Sequence, residues 1–217
     1  MKKALDIQIL VDNLKSWYAP FAIDLVTSLS EKGHNVDLIH SYKLLTKGNV
    51  AFLLSCTKII PEEYLKLHSN NIVCHPSDLP HGKGFSPLAW QIIEGKSEIV
   101  FTLFEAVGDV DAGPYYIKES ILLAGHELNE EIKNIQGNLV NKLCNKYIDE
   151  YSEIPPMNQV GDESFYQRRT SNDSQLDLDS SIRVQFNLLR VVDNERYPAF
   201  FIINGHKYII KISNEEI

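Results

Sequence analysis

Apolar and polar positions alternate between two rhythms along the chain. Short runs of strand length at 5–11 (LDIQILV), 35–40 (NVDLIH), 50–56 (VAFLLSC), 71–75 (NIVCH) and 98–106 (EIVFTLFEA) are separated by stretches with apolar residues every three or four positions. That alternation predicts βα units, hence an α/β class with a Rossmann-like, mostly parallel sheet. The first helical stretch, 20–33, has Pro20 near its start, Phe21, Leu25, Val26 and Leu29 on one face, and Gly33 as its C-terminal stop. A second, 61–69, opens with Pro61, Glu62 and Glu63, as a helix N-terminus should. A short helix at 87–95 and a last run in PYYIKESILL complete the sheet layer, and 128–152 reads as a long amphipathic helix.

Beyond Ser152 the pattern dissolves. Residues 153–181 are rich in Pro, Ser, Asn and Asp and read as a linker or a wandering surface segment. IRVQFNLLRVV is then helical, and Asn204-Gly205 between two β-rich runs signals a type I′ hairpin. The expected division is a catalytic domain at 1–152 and, at 153–217, a linker with a small α+β appendage of helix and hairpin. That appendage is too small to hold a core alone, so it is expected to pack on the first domain. Arg190 is expected to pair with Asp193 or Glu195.

A chain of 217 residues with 44% hydrophobic content can bury one substantial core. The formal charge of −8 argues against a broad footprint for nucleic acid or an anionic membrane surface. Cys56, Cys74 and Cys144 lack metal-ribbon spacing, so neither a disulfide framework nor a metal site is expected. The opening MKKALDIQILVDN meets Asp6 and Asp12 before a signal-type apolar region develops, and the expected location is cytoplasmic.

The stretch HPSDLPHGKGFSP, 75–87, places His75 at the end of an apolar run and follows it with backbone punctuation. Functional groups gather at the carboxyl ends of parallel strands, and Asp111 follows the next long strand. A histidine oriented by a carboxylate moves protons at neutral pH. A structural histidine and a turn aspartate fit the same facts. His34, His40, His68, His81, His126 and His206 have no comparable setting and read as surface or packing residues.

HPSDLPHGKGFSP followed by DVDAGP resembles the 10-formyltetrahydrofolate-dependent formyltransferases, which include methionyl-tRNA formyltransferase and the nucleotide-sugar N-formyltransferases. The matching residues are His75, Ser77, Leu79-Pro80, Gly84, Pro87, and Asp111 with Gly113, Asp111 standing 36 positions after His75. LLSCTKIIPEEYL at 53–65 extends the likeness upstream. The resemblance implies a formyltransferase fold, 10-formyltetrahydrofolate as co-substrate, and catalysis by His75 and Asp111 with Ser77 supporting the oxyanion. It implies a folate site along Leu54, Ser55, Cys56, Thr57, Lys58 and Ile59, with Leu79, and along Phe104, Glu105, Ala106 and Val107. One residue departs from the pattern: Val73 stands where the family has the asparagine that helps hold the oxyanion. No phosphate-loop lysine or G-x-G-x-x-G motif is present, which disfavours ATP and NAD(P).

For the amine substrate, the family's tRNA-acting members carry a large basic C-terminal domain, whereas about 65 residues follow Ser152 here and the net charge is acidic, so a nucleotide-linked amino sugar is expected. Asp12, Lys15, Trp17, Tyr18, Lys83 and Gly84 are the expected substrate contacts. Trp17 or Tyr18 would stack a base, and Lys15, Lys83, Arg168 or Arg169 would meet a diphosphate. Trp17 and Tyr18 fit a hydrophobic staple at the helix start equally well. The compact form looks most like formyltransferases of pseudaminic-type sugar pathways, pointing to a UDP-linked 4-amino-4,6-dideoxy N-acetylhexosamine. Glycinamide ribonucleotide as substrate, and a non-catalytic folate or sugar-nucleotide binding protein, are the alternatives. Oligomeric state is not legible.

Overall fold

A computed structural model describes residues 3–13 and 15–215. Its main sheet has six strands, β1 (Asp6–Leu10), β2 (Asn35–Ile39), β3 (Gly48–Leu53), β4 (His68–His75), β6 (Glu98–Glu105) and β7 (Tyr115–Leu122), in the order β2-β1-β3-β4-β6-β7. The first four are parallel, whereas β6 runs antiparallel to both β4 and β7, so the sheet is mixed. Between β4 and β6 lie the two-residue β5 (Lys83–Gly84) and the helix α3 (Pro87–Ile93).

Residue alternation assigns the two faces. Ile7, Ile9, Val50, Phe52 and Ile72 join one core cluster, covered by α1 (Ala19–Glu31) and α4 (Asn129–Asp149) through Leu25, Leu29, Val140 and Leu143. Leu10, Ala51 and Leu53 point the other way, into a smaller cluster with Ile60 and Leu65. α1 and α4 approach closely at Gly137, where a Cβ would stand 2.6 Å from the Phe21 ring. The helix expected over 61–69 is confined to α2 (Glu62–Leu65), because His68 already pairs with Gly48 as the first residue of β4.

After α4 the chain forms a long irregular strap containing β8 (Phe165–Tyr166), which pairs in parallel with β5. It then enters α5 (Ile182–Arg190) and the hairpin of β9 (Ala199–Ile203) and β10 (His206–Ile210). Asn204 and Gly205 both take positive φ (51° and 77°), as a type I′ turn requires. Arg190 departs from its expected partners: it is buried and pairs with Glu127 at 3.1 Å, which ties α5 to the approach of α4. Asp193 instead pairs with Lys133 and Glu195 with Lys211. Burial works against the Glu127 carboxylate, but N–H donors from Ala124 and Gly125 hold it below its usual range.

His68 is a buried histidine at the start of β4. Neither ring nitrogen has a partner among the described residues, and the ring lies where a Cβ on Gly48 would be, 2.8 Å away. Burial lowers its pKa from 6.5. The unfolded chain therefore takes up a proton as pH falls through about 6.5 while the folded chain resists, so stability is lost on acidification. The urea midpoint is expected to fall between about pH 7.5 and pH 5, and to fall less in His68→Leu. Equal falls in the two proteins would show that His68 is not responsible.

Candidate active site

His75 is the last residue of β4 and is buried, with 7% of its surface exposed. Its Nε2 lies 2.8 Å from the carbonyl oxygen of Gly82. A carbonyl only accepts, so Nε2 carries the hydrogen and Nδ1 holds the free lone pair of the neutral ring. Nδ1 faces Asp111 Oδ2 at 3.7 Å, and that oxygen accepts a 2.8 Å hydrogen bond from Gly84 N–H.

Asp111 does not arrive at this place as the end of a parallel strand. β6 leaves the sheet level with Ile72 and heads away from His75, whose partner on β6 is Thr102. Residues 106–111 must therefore double back. The Glu105 carboxylate pins the turn, accepting from Asn71 N–H (2.5 Å), Asn70 Nδ2 (3.0 Å) and the Tyr116 hydroxyl (2.9 Å). Gly113 closes it: a Cβ there would lie 1.8 Å from the Glu105 carbonyl oxygen. Burial, with the nearby Glu105, pushes the Tyr116 hydroxyl up to about 12, so it remains a donor to that carboxylate at neutral pH.

A cavity of about 690 Å³ opens beside the pair, within the range of sites for small molecules. Leu54–Ile60 and residues 104 and 106–111 form two of its walls, and Trp17, Gly84, Phe85, Arg168, Arg169 and Tyr197 border it elsewhere. Of the non-glycine residues with positive φ among those described, Ser55, Ser86 and Asp111 border this cavity and only Asn204 lies away from it. Backbone strain of that kind collects where a site dictates the conformation. Among the described residues, the N–H groups of 107–110 have no hydrogen-bond partner in the protein, which leaves this wall free to bond an amide-like ligand edge.

The structure brings Leu54, Ser55, Cys56, Thr57, Lys58, Ile59, Phe104, Ala106 and Val107 to the cavity with His75 and Asp111. It leaves Leu79 in the core and turns Glu105 to the pinning role above. Ser77 is buried outside the cavity, its hydroxyl oxygen without a partner among the described residues, so it does not stand where an oxyanion would form. Asp12 holds the 55–58 loop rather than a substrate, accepting from Thr57 N–H, Thr57 Oγ1 and Lys58 N–H. Lys15 is exposed and outside the cavity. Lys83 is buried against Glu163 at 2.5 Å, which leaves it no free charge for a diphosphate. Tyr18 borders the cavity but is 1% exposed, stacked on Phe21 and donating its hydroxyl to Asn141 (2.6 Å), so it offers no face to a base. Trp17 packs edge-on against Tyr18 and Phe21 at the half-buried cavity border. Val73 borders the cavity from β4, packed against the smaller apolar cluster. Burial pushes the Cys56 and Cys74 thiols up to about 12, which makes both poor nucleophiles.

The strap contributes residues that periodicity does not reveal. Gln159 Nε2 donates to the carbonyls of Asp111 (2.9 Å) and Gly113 (2.7 Å), and Ser164 Oγ accepts from Gly82 N–H (2.8 Å). Arg168 lies over the Phe85 ring (4.4 Å) and Arg169 over Trp90 (5.7 Å). Arg169 Nε is buried without a partner among the described residues, and burial lowers the pKa of its guanidinium. The one sequence signal for any of this is the pair of adjacent arginines in a segment otherwise rich in small polar residues.

Residues 23–142 match the family model described as formyl transferase. A methionyl-tRNA formyltransferase from Mycoplasma capricolum is 29% identical over 179 residues, covering 79% of this chain and 56% of that protein. The chain thus spans a little over half the length of the curated relatives it matches. Among solved structures, a methionyl-tRNA formyltransferase from Clostridium thermocellum superposes with a TM-score of 0.83 at 22% identity, covering 98% of this chain and 94% of that one. A sugar N-formyltransferase from Shewanella sp. FDAARGOS_354 gives a TM-score of 0.75 at 16% identity, covering 98% and 99%. The α/β architecture with its six-stranded sheet is therefore the formyltransferase fold.

Gly84 joins the strap to the Asp111 carboxylate with φ of 95°, and a Cβ there would lie 2.5 Å from the Tyr166 carbonyl oxygen. Gly84→Ala is expected to cost roughly 1–3 kcal/mol or more, whereas Gly95→Ala, at φ 91° in open space, should cost about 1 kcal/mol. Urea unfolding of the two variants checks this, and a smaller loss at Gly84 than at Gly95 would contradict the packing described.

Proposed function

The chain belongs to the formyl transferase family, the matched region covering more than half of it, and from this premise we propose that it transfers a formyl group from 10-formyltetrahydrofolate to the amine of a nucleotide-linked amino sugar. The observation that carries the reading is the cavity in which His75 Nδ1 and Asp111 face one another between two irregular walls. In this reading residues 1–152 carry the transfer chemistry and the segment from 153 onward completes the mouth of the site. UDP-4-amino-4,6-dideoxy N-acetylhexosamine is the candidate substrate.

The reaction sets what each group must do. An unprotonated amine attacks the formyl carbon, a tetrahedral oxyanion forms, the bond from that carbon to the folate N10 breaks, and N10 leaves as N–H. His75 Nδ1 takes the proton from the attacking nitrogen, because Nε2 is committed to Gly82. Asp111 stabilises the imidazolium so formed, and the same Nδ1–H then supplies the leaving nitrogen. With Val73 unable to donate, the protonated Nδ1 is also the donor we assign to the oxyanion. The folate would lie along Leu54–Ile59 and the 104–107 wall, which continues into the free N–H groups of 107–110 that suit the amide-like pterin edge.

Three features favour a small anionic amine over tRNA. The strap and the segment around Tyr197 wall the mouth. Arg169, whose Nε has no partner among the described residues, and the adjacent Arg168 suit a diphosphate. The formal charge of −8 opposes a polyanion. A panel of amino-sugar nucleotides, glycinamide ribonucleotide and methionylated initiator tRNA, each incubated with 10-formyltetrahydrofolate and read by mass, tests the assignment. Formylation of a sugar nucleotide is expected. Formylation of tRNA or glycinamide ribonucleotide alone would replace the substrate, and tight binding without product from any amine would make the chain a binding protein.

His75→Ala and Asp111→Ala are each expected to lower turnover by about 10³-fold or more with the circular dichroism spectrum unchanged. Near-normal turnover in either would remove the mechanism. Val73→Asn is expected not to raise kcat, because it puts an amide into an apolar cluster at a cost of about 1–3 kcal/mol. A kcat gain of about ten-fold or more there, with both KM values unchanged, would show that an oxyanion donor is missing rather than replaced.

A further inference from the structure

Residues 153–181 carry no periodic apolar face, yet the strap they form reaches, at two points, the backbone that holds the His75–Asp111 pair. At the first, Gln159 sits outside the cavity and reaches the turn that carries Asp111. Its amide orientation is decided by chemistry: the atom within 2.9 Å of the Asp111 carbonyl and 2.7 Å of the Gly113 carbonyl must be the NH2, since an amide oxygen there would meet two acceptors. At the second, Ser164 Oγ accepts from Gly82 N–H, and the Gly82 carbonyl is the group that fixes the His75 ring.

The Asp111 turn needs such a restraint. Asp111 has φ of 51°, a conformation that costs a non-glycine residue energy and persists only where its surroundings impose it. The carbonyls of Asp111 and Gly113 point to the same NH2, so a single side chain holds the 111–112 and 113–114 peptide units at a fixed separation. The Asp111 carboxylate has a separate anchor in Gly84 N–H, on the β5 segment that β8 of the strap pairs with.

Resting on the formyl-transfer reading, we propose that Gln159 is a positioning residue for Asp111, holding the strained turn so that Oδ2 stays directed at His75 Nδ1. Gln159 touches neither His75 nor the cavity and takes no part in the chemistry; it acts through Asp111 alone. The strap is accordingly a working part of the site, and its removal or loosening relaxes the pair without changing the cavity walls that meet the folate.

The test compares Gln159→Met, which keeps length and shape and loses both donors, with Gln159→Ala and Asp111→Asn in the full chain. The first readout needs no turnover: the 15N resonances of the His75 ring by NMR, with thermal unfolding in parallel. Both Gln159 variants are expected to shift the His75 ring signals in the same direction as Asp111→Asn and by a fraction of its effect, with the fold retained. The second readout is steady-state transfer, where kcat should fall about 10- to 100-fold with the KM for folate changed less than about two-fold. A lower melting temperature with His75 signals identical to wild type would reduce Gln159 to a structural residue and overturn the proposal. So would normal kcat in Gln159→Met. Failure of the wild-type protein to formylate any amine strikes the parent reading and leaves the NMR comparison to decide the positioning role.

Discussion

Everything in the candidate site depends on the reversal of chain direction at the end of β6. That strand runs antiparallel to β4 and leaves the sheet three residues short of His75, roughly 10 Å at strand rise. The Glu105 carboxylate makes the return possible by taking three donors at once and locking the end of β6 to the start of β4 and to β7. Gly113 is the steric complement, since no other residue can pass so close to the Glu105 carbonyl. A half-buried carboxylate that takes three donors is costly to disturb, because its loss removes their common acceptor and leaves the buried Asn71 N–H without a partner. The acid that faces His75 is thus placed by a second acid that does not.

Two kinds of restraint converge on the pair. Short-range restraints come from the punctuated loop after β4: Gly82 fixes the ring tautomer and Gly84 fixes the carboxylate. Long-range restraints come from the strap, more than 70 residues later, through Ser164, Gln159 and the pairing of β8 with β5. A two-residue strand pair is marginal by itself, so the buried Lys83–Glu163 contact and the Trp90 indole bond to the Gln167 carbonyl (2.8 Å) matter in keeping the strap down. The basic side chains expected to meet a diphosphate divide accordingly: Lys83 is spent on this clamp, while the arginines on the strap remain at the mouth.

The sequence by itself determined the elements whose signal is local. Short apolar runs located the strands, the Pro20 start and Gly33 stop bounded α1, and the Asn-Gly turn specified the hairpin. It also determined which chemistry was at hand, because His75, Asp111 and the glycine-rich loop stand at a spacing that carries a resemblance specific enough to propose an acyl transfer. What only the tertiary structure decided are the properties that depend on direction and on distant partners. Whether a strand is parallel does not alter its apolar run, so β6 could not be read as reversed. Whether Glu105 faces a ligand or a pin, whether Lys83 is free or paired, and whether Tyr18 offers a face or is sandwiched depend on residues between 3 and about 120 positions away. Polar side chains satisfied across such gaps leave no periodic trace, and for that reason the strap that restrains the pair read as a linker.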